Sequence, residues 1–173
     1  MKGVSMYYKI SDFIEDWKYE SGSTIKVLCN LTDEVLTIKF NNEIRTAGRL
    51  AWHIVTAIGE LGHRAGLTFK TVDENAPIPS TAKEIVDEYK CASDGLMKEI
   101  NEKWNDDTLS IEDDVIGNGE MWSRGKTLAA LVTHQIHHRG QLTVVMRLAG
   151  LKVPGIYGPA KEEWVNYGMP PQE

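Results

Sequence analysis

The sequence predicts an all-α protein, a four-helix bundle with long loop connections and a short helix near the C-terminus. Four segments of roughly 20 residues or more repeat apolar side chains at steps of three and four, which is helical periodicity. Alternating, strand-like patterns are rare, and Ser, Thr, Gly and Pro mark the ends of the segments. We expect a single domain over residues 1–173, because this length is sufficient to bury a core.

The first predicted helix spans residues 10–36 and carries one apolar stripe, formed by Ile10, Phe13, Ile14, Trp17, Ile25, Leu28, Leu31 and Val35. Ser21–Gly22–Ser23 weakens it locally, because Gly costs roughly 1 kcal/mol relative to Ala in a helix. The stripe stays in phase across this site, which favours one helix with room for a bend. Residues 36–46 alternate briefly and are predicted to be a connector with extended character.

The second and third predicted helices span residues 46–65 and 81–104. Gly62 and Gly66 mark the fading end of the second, where His63 and Arg64 suit the negative pole of the helix dipole. The proline-rich stretch TVDENAPIPS is predicted to be a loop. Thr81 and Glu84 have the spacing of a capping box at the start of the third helix. Its predicted apolar stripe contains Ile85, Tyr89, Ala92, Leu96, Ile100 and Trp104.

The fourth predicted helix spans residues 123–150 and follows a long acidic connection, NDDTLSIEDDVIGNGE. Gly150 is a natural residue to end it, since glycine adopts the left-handed conformation that often follows a helix. The remaining tail is rich in Pro and Gly, with one short helix predicted at 159–167. Because two of the connections between helices are long, a simple up-down-up-down topology is not required.

Composition excludes several classes of protein. The formal charge is −6 and no run of Lys or Arg stands out, which argues against nucleic-acid binding. No apolar run approaches the roughly 20 residues of a membrane span, and the opening MKGVSMYYKI lacks the apolar core of a signal peptide. Cys29 and Cys91 form no motif. We therefore expect two free thiols and a cytoplasmic location.

The stretch VTHQIHHRGQ, residues 132–141, holds three of the five histidines in the chain. His134 and His138 are four residues apart and lie on one helical face, along the inward edge of the apolar stripe. His137 points toward the polar side. Two unpaired imidazoles in a bundle interior would be costly, and a divalent cation bound by both removes that cost. The alternative is two partly buried histidines hydrogen-bonded to their neighbours.

A third ligand must come from another helix. His53 lies in the middle of the second helix, in phase with Leu50 and Ala57, which predicts an inward position. His63 lies at the end of that helix, where a surface role is expected. The set His53, His134 and His138 is therefore the best candidate for a metal site.

The spacing also excludes one class of metalloenzyme. A zincin carries H-E-x-x-H, in which Glu is the general base. Here Gln135 stands beside His134 in the sequence H-Q-I-H-H, and an amide cannot accept the proton. A base must come from elsewhere, and Glu60, seven residues after His53, is one candidate. Its other interpretation is a surface carboxylate at the end of the helix.

The stretches RLAWHIV and HQIHHRGQL, followed by VMRLAGLKVPGIYGP and EEW, resemble the DinB family of bacterial proteins over residues 10–168. The resemblance implies a DinB-like four-helix bundle with an unusual helix order. It also implies a divalent metal ion held by His53, His134 and His138, with His137 outside the ligand set. A homodimer is expected on the same ground, and the wider superfamily includes transferases that use bacillithiol or mycothiol.

Three further residues complete the H-x-x-x-H-R-G-Q signature. Arg139 would project away from the ligands and pair with an acidic residue on a neighbouring helix, or lie at an interface. Gly140 would let another chain segment approach closely. Gln141 returns toward the face of His134 and is a candidate to support a ligand by a hydrogen bond.

Three neutral ligands leave a metal ion its charge and an open position, which suits catalysis. In the favoured hypothesis the metal activates a low-molecular-weight thiol, which attacks a small electrophilic substrate. Arg45, Arg49 and Arg64 are candidates to hold the carboxylates of the thiol. The alternatives are metal-dependent hydrolysis of a small substrate and a non-enzymatic metal-binding stress protein. All-imidazole ligation suits zinc, nickel, copper and iron, so the identity of the metal stays open.

Overall fold

Four α-helices dominate the computed structural model, which describes residues 6–171. They are α1, Ile10–Leu28; α2, Ala47–Arg64; α3, Ala82–Lys103; and α4, Arg124–Leu148. Three 3₁₀ helices occupy Asp33–Val35, Asp106–Ser110 and Lys161–Tyr167. Two short strands, β1 (Glu112–Asp113) and β2 (Trp122–Ser123), pair antiparallel. The predicted all-helical bundle is confirmed, and the predicted terminal helix at 159–167 is present in 3₁₀ form.

Side-chain caps begin three of the helices. The hydroxyl oxygens of Thr46, Thr81 and Ser123 accept hydrogen bonds from the backbone N–H groups three residues later, at 3.1, 3.3 and 3.2 Å. These bonds satisfy N–H groups that have no partner within the helix. Thr81 is thus the predicted cap of α3, although Glu84 does not return the second bond of a capping box. Gly150, with φ of 81°, ends α4 as predicted.

The first helix is shorter than predicted. It ends at Leu28 rather than residue 36, and the chain then turns through Asn30 into the first 3₁₀ helix. The Asn30 side chain donates to the carbonyl of Lys26 at 2.8 Å, which satisfies one of the last helical carbonyls. Leu31 and Val35 are buried all the same. The apolar repeat extends past the end of α1 because the turn directs these two side chains back to the core.

Short elements occur in the connections between the helices. Residues 36–46 form a connector, as predicted, and it turns back to α2, where the N–H of Gly48 donates to the carbonyl of Leu36 at 3.0 Å. The acidic connection before α4 contains a 3₁₀ helix and β1. This 3₁₀ helix and β1 were not predicted, because elements of two to five residues are too short to show a period.

The helices do not neighbour one another in chain order. Both α1 and α2 pack along α3 and α4, whereas α1 and α2 make only marginal contact with each other. Going round the bundle, the order is therefore α1, α3, α2, α4. The core between them includes Phe13, Trp17, Ile58, Tyr89 and Leu142, each at most 1% exposed. This order sets α2 and α4 side by side along their length.

The tail after α4 folds back on α1 and α4. The Tyr157 hydroxyl donates to Glu20 Oε1 at 2.5 Å, and the Tyr19 hydroxyl donates to the carbonyl of Ile156 at 2.5 Å. Arg147 forms a two-pronged ion pair with Glu162. Within residues 6–171, none of the helices is both long and apolar enough to cross a membrane.

Candidate metal centre

Three imidazoles meet between α2 and α4. His53, His134 and His138 each offer a ring nitrogen, and these atoms all lie within 4.8 Å of one another. The ring centroids are 4.9 Å apart for His53 and His134, 4.6 Å for His53 and His138, and 4.4 Å for His134 and His138. The rings meet edge to face, at 71°, 79° and 69°. Such a group could hold one metal ion.

The geometry follows from the helices. His134 and His138 are one turn apart on α4 and stack on a single face. His53 follows Leu50 on the side of α2 that faces the core, and α2 lies against α4 along much of its length. The helical phase of each residue therefore directs all three rings to the same point.

Burial keeps these histidines neutral. It lowers the pKa of His53 to about 4, with the charges of His138, Arg45 and Arg49 adding to the effect. It also lowers the pKa of His134 to about 4. The pKa of His138 is lowered by burial too, while the hydrogen bond that it donates to Gln141 opposes that shift. A neutral imidazole is the form that binds a metal ion, so the group suits ligation at neutral pH.

Gln141 orients one of the rings. Its Oε1 lies 2.8 Å from His138 Nδ1, so the neutral ring that donates there keeps the lone pair of Nε2 free. Carbonyl acceptors commonly fix metal-binding histidines in this way. The sequence predicted a supporting role for Gln141, although on the face of His134; the contact is with His138.

Several candidates lie outside the triad. His137 is exposed, as predicted, and its ring contacts that of His138 without joining the group of three. His63 is also exposed, and its Nε2 lies 3.1 Å from the carbonyl of Phe69. Glu60 forms an ion pair with Arg64 at 3.2 Å, and both line a separate cavity with His63. Glu60, the candidate base, and Arg64 thus line a different cavity from the one that His138 lines.

A cavity of about 610 Å³ reaches the triad at His138. Its walls include the apolar side chains of Leu50, Val145 and two residues that the sequence did not indicate, Ile44 and Val144. The other lining residues are Glu43, Arg45, His137, His138 and Gln141. Ile44 lies in a connector, and connectors carry no period from which an inward position could be read. Arg45, one of the candidates to hold the carboxylates of the thiol, lines this cavity.

Comparison of the sequence with known proteins identifies the family of this chain. A sequence model of the DinB family matches residues 6–173. The chain belongs to the DinB family. The resemblance seen in the sequence is thereby confirmed over almost the whole chain.

Relatives agree with this DinB assignment. The protein YrdA of Bacillus subtilis (strain 168) is 43% identical over 164 residues, which cover 95% of this chain and 97% of YrdA. The crystal structure of a DinB-like protein from Bacillus cereus ATCC 10987 superposes with a TM-score of 0.83 at 41% identity, covering 88% of this chain and 100% of that one. A second DinB-like structure, YjoA of Bacillus subtilis, gives 0.65 at 18% identity, covering 84% and 96%, and shows the fold alone.

Arg139 of the DinB signature points away from the metal centre into the bundle. Its guanidinium donates to Glu20 Oε2 at 2.6 Å, to the Glu20 carbonyl at 3.0 Å, to Thr24 Oγ1 at 3.2 Å and to the Tyr157 hydroxyl at 3.0 Å. The predicted partner on a neighbouring helix is thus Glu20 of α1. The predicted close approach at Gly140 is wrong, since a methyl group built there would have no atom of another described residue within 4 Å. Within residues 6–171, no close approach explains this glycine.

Proposed function

We propose that this DinB-family protein binds one divalent metal ion through His53, His134 and His138. We further propose that it is a metal-dependent enzyme that transfers a small thiol to a small-molecule electrophile. The observation that carries both is the convergence of three neutral imidazole nitrogens within 4.8 Å, with His138 lining a cavity. Nitrogen donors suit zinc, nickel or iron, and the choice among them stays open.

A bound ion would supply Lewis acidity at its open position, which lowers the pKa of a thiol or a water molecule. The residues of the chain do the remaining work. Gln141 holds the His138 ring in place through Nδ1. Ile44, Leu50, Val144 and Val145 line the cavity with apolar surface, which limits the access of water to a reactive thiolate.

Arg45 supports thiol transfer over the other hypotheses. It lines the cavity that reaches His138, where a guanidinium can hold a carboxylate of a thiol such as bacillithiol. Transfer forms a carbon–sulfur bond while the leaving group departs with the bonding electron pair, and the thiol proton passes to solvent. An open cavity also favours an enzyme over a protein that only stores the metal, for which a closed site is expected.

Hydrolysis is the second candidate, favoured by one observation. Glu43 lines the same cavity, and a carboxylate there could take a proton from an attacking water. Glu60, the candidate base from the sequence, lines another cavity together with Arg64. Glu43→Gln therefore separates the two reactions, because it removes a base needed by hydrolysis and none needed by thiol transfer.

Elemental analysis of the purified chain tests the metal site. We expect one equivalent of divalent metal in the wild type and almost none in His53→Ala or His138→Ala. His137→Ala is the matched control, because it removes a neighbouring imidazole outside the triad and should keep full occupancy. Full occupancy in His53→Ala would show that the three-ligand proposal is wrong.

Activity is tested by thiol consumption, with bacillithiol and glutathione offered alongside chlorinated aromatic electrophiles and aryl esters. Metal-dependent release of chloride with loss of thiol supports transfer. Ester cleavage without thiol consumption, and its loss in Glu43→Gln, would replace transfer by hydrolysis. The predicted homodimer is a separate proposal, tested by sedimentation equilibrium of the full chain.

A further inference from the structure

The six arginines of the chain fall into two groups. Four form ion pairs with carboxylates: Arg64 with Glu60 and Glu74, Arg124 with Asp113, Arg139 with Glu20, and Arg147 with Glu162. Within residues 6–171, the guanidinium groups of Arg45 and Arg49 have no carboxylate within 4.0 Å. These two are the arginines beside the histidine triad.

Their positions are set by the start of α2. Arg45 immediately precedes the capping residue Thr46 and lines the cavity that reaches His138. Arg49 is four residues before His53, so both lie on one side of the helix. The positive charge of Arg45 lowers the pKa of each histidine in the triad, and that of Arg49 lowers the pKa of His53. Both arginines are exposed, so neither is needed for core packing.

This arrangement leaves positive charge uncompensated at the metal centre. Three neutral imidazoles cancel none of the charge of a divalent ion, and two arginines add to it. Glu43 is the one carboxylate among the residues that line the cavity, and it forms no ion pair with Arg45 in the described structure. An anion that entered the cavity would meet the guanidinium group of Arg45 and the ion, and the charge of Arg49, which acts on His53 from the same helix, would add to the attraction. A guanidinium matches the two oxygens of a carboxylate particularly well.

We propose that Arg45 and Arg49 form an anion-binding subsite, so that a small organic carboxylate and the metal ion bind cooperatively. This inference rests on the proposed function for the metal and adds the class of ligand. The apolar walls formed by Ile44, Leu50, Val144 and Val145 select a carboxylate with an apolar arm over a bare inorganic anion. By linkage, the ligand strengthens metal binding by the same factor by which the metal strengthens ligand binding.

Isothermal titration of metal-loaded and metal-free protein tests the subsite with a matched pair of probes. Mercaptopropionate carries a carboxylate, and mercaptopropanol has the same chain without the charge. We expect the loaded wild type to prefer mercaptopropionate by about tenfold, and the metal-free protein to bind it about tenfold more weakly. The double variant Arg45→Gln/Arg49→Gln should lose the preference and still bind mercaptopropanol. Lys90→Gln, an exposed charge on a separate cavity, is the control and should change nothing.

Equal affinity for the two probes in the wild type, or a preference that survives in the double variant, would overturn the proposal. Inorganic phosphate is the third probe. Its failure to displace mercaptopropionate supports a carboxylate with an apolar arm, and displacement at similar concentration overturns that selectivity. If the wild type binds no metal, the proposed function fails separately. The subsite is then tested on the metal-free protein. A preference for mercaptopropionate that depends on the two arginines supports the subsite, and the absence of such a preference refutes it.

Discussion

Replacing Arg139 by Ala should destabilise the protein severely, because it leaves a carboxylate buried without its partner. The side chains of Arg139 and Glu20 are only 3% and 8% exposed, and the guanidinium donates four hydrogen bonds. Breaking such a buried pair on one side costs about 3–5 kcal/mol. For a chain of this size each kcal/mol lowers Tm by about 2–4 °C, which gives a total of about 6–20 °C.

The chain provides a matched control on the same helix. Arg147 also pairs with a glutamate, Glu162, but these side chains are 33% and 38% exposed. Exposed pairs contribute about 0–1 kcal/mol, so Arg147→Ala should lower Tm by less than about 4 °C. Thermal unfolding by circular dichroism, with urea unfolding for the free energies, measures both variants. The Glu20→Leu/Arg139→Met double variant should recover most of the loss, because it leaves no buried charge unpaired.

Equal destabilisation by Arg139→Ala and Arg147→Ala would refute the reasoning, since burial would then not decide the cost. A double variant as unstable as Arg139→Ala would also refute it. That result would assign the loss to packing of the long side chain rather than to an unpaired charge.

Three further outcomes are expected. Gln141→Leu should weaken metal binding by about 10–100-fold, because it removes the hydrogen bond that orients the His138 ring. Competition with a chelator measures this affinity, and an unchanged value would contradict the role of the hydrogen bond. Gly140→Ala should raise the free energy of unfolding by about 0.5–1 kcal/mol in urea, because the site is open and helical; a loss would reveal a contact there. The metal-free protein should lose stability as the pH falls from about 6.5 toward about 4. The pKa values of His53 and His134 are lowered to about 4 in the folded state, so in this range the unfolded chain binds protons that the folded chain does not. Urea unfolding at three pH values would refute this if the free energy were constant.

Helical periodicity and caps were sufficient to predict the bundle. The stripe of α3 from Ile85 to Ile100 is buried as expected, and Thr81 and Gly150 mark helix ends where predicted. The end of α1 was not predictable in this way. Leu31 and Val35 continue the apolar phase after the helix has stopped, so periodicity reports burial there and not backbone conformation.

The candidate site was predictable where it depended on helical phase. His53, His134 and His138 were placed on inward faces by spacing alone, and those faces meet. Contacts between elements far apart in sequence were not predictable. Nothing in the pattern around Arg139 indicates that Glu20, 119 residues away, is its partner. The same holds for Glu43 and Ile44, which reach the cavity through a connector.

The order of helices round the bundle has a consequence for biosynthesis. As the nascent chain leaves the ribosome, α1 and α2 emerge first, yet each finds its main partners only in α3 and α4. Until then both amphipathic helices expose apolar surface, and assembly depends on contacts between distant parts of the sequence, which form slowly. The ring of His53 can contact His134 and His138 only after these residues, more than eighty positions downstream, have been synthesised. Full burial of the apolar faces of α1 and α2 therefore requires α4, the last of the four helices to be synthesised.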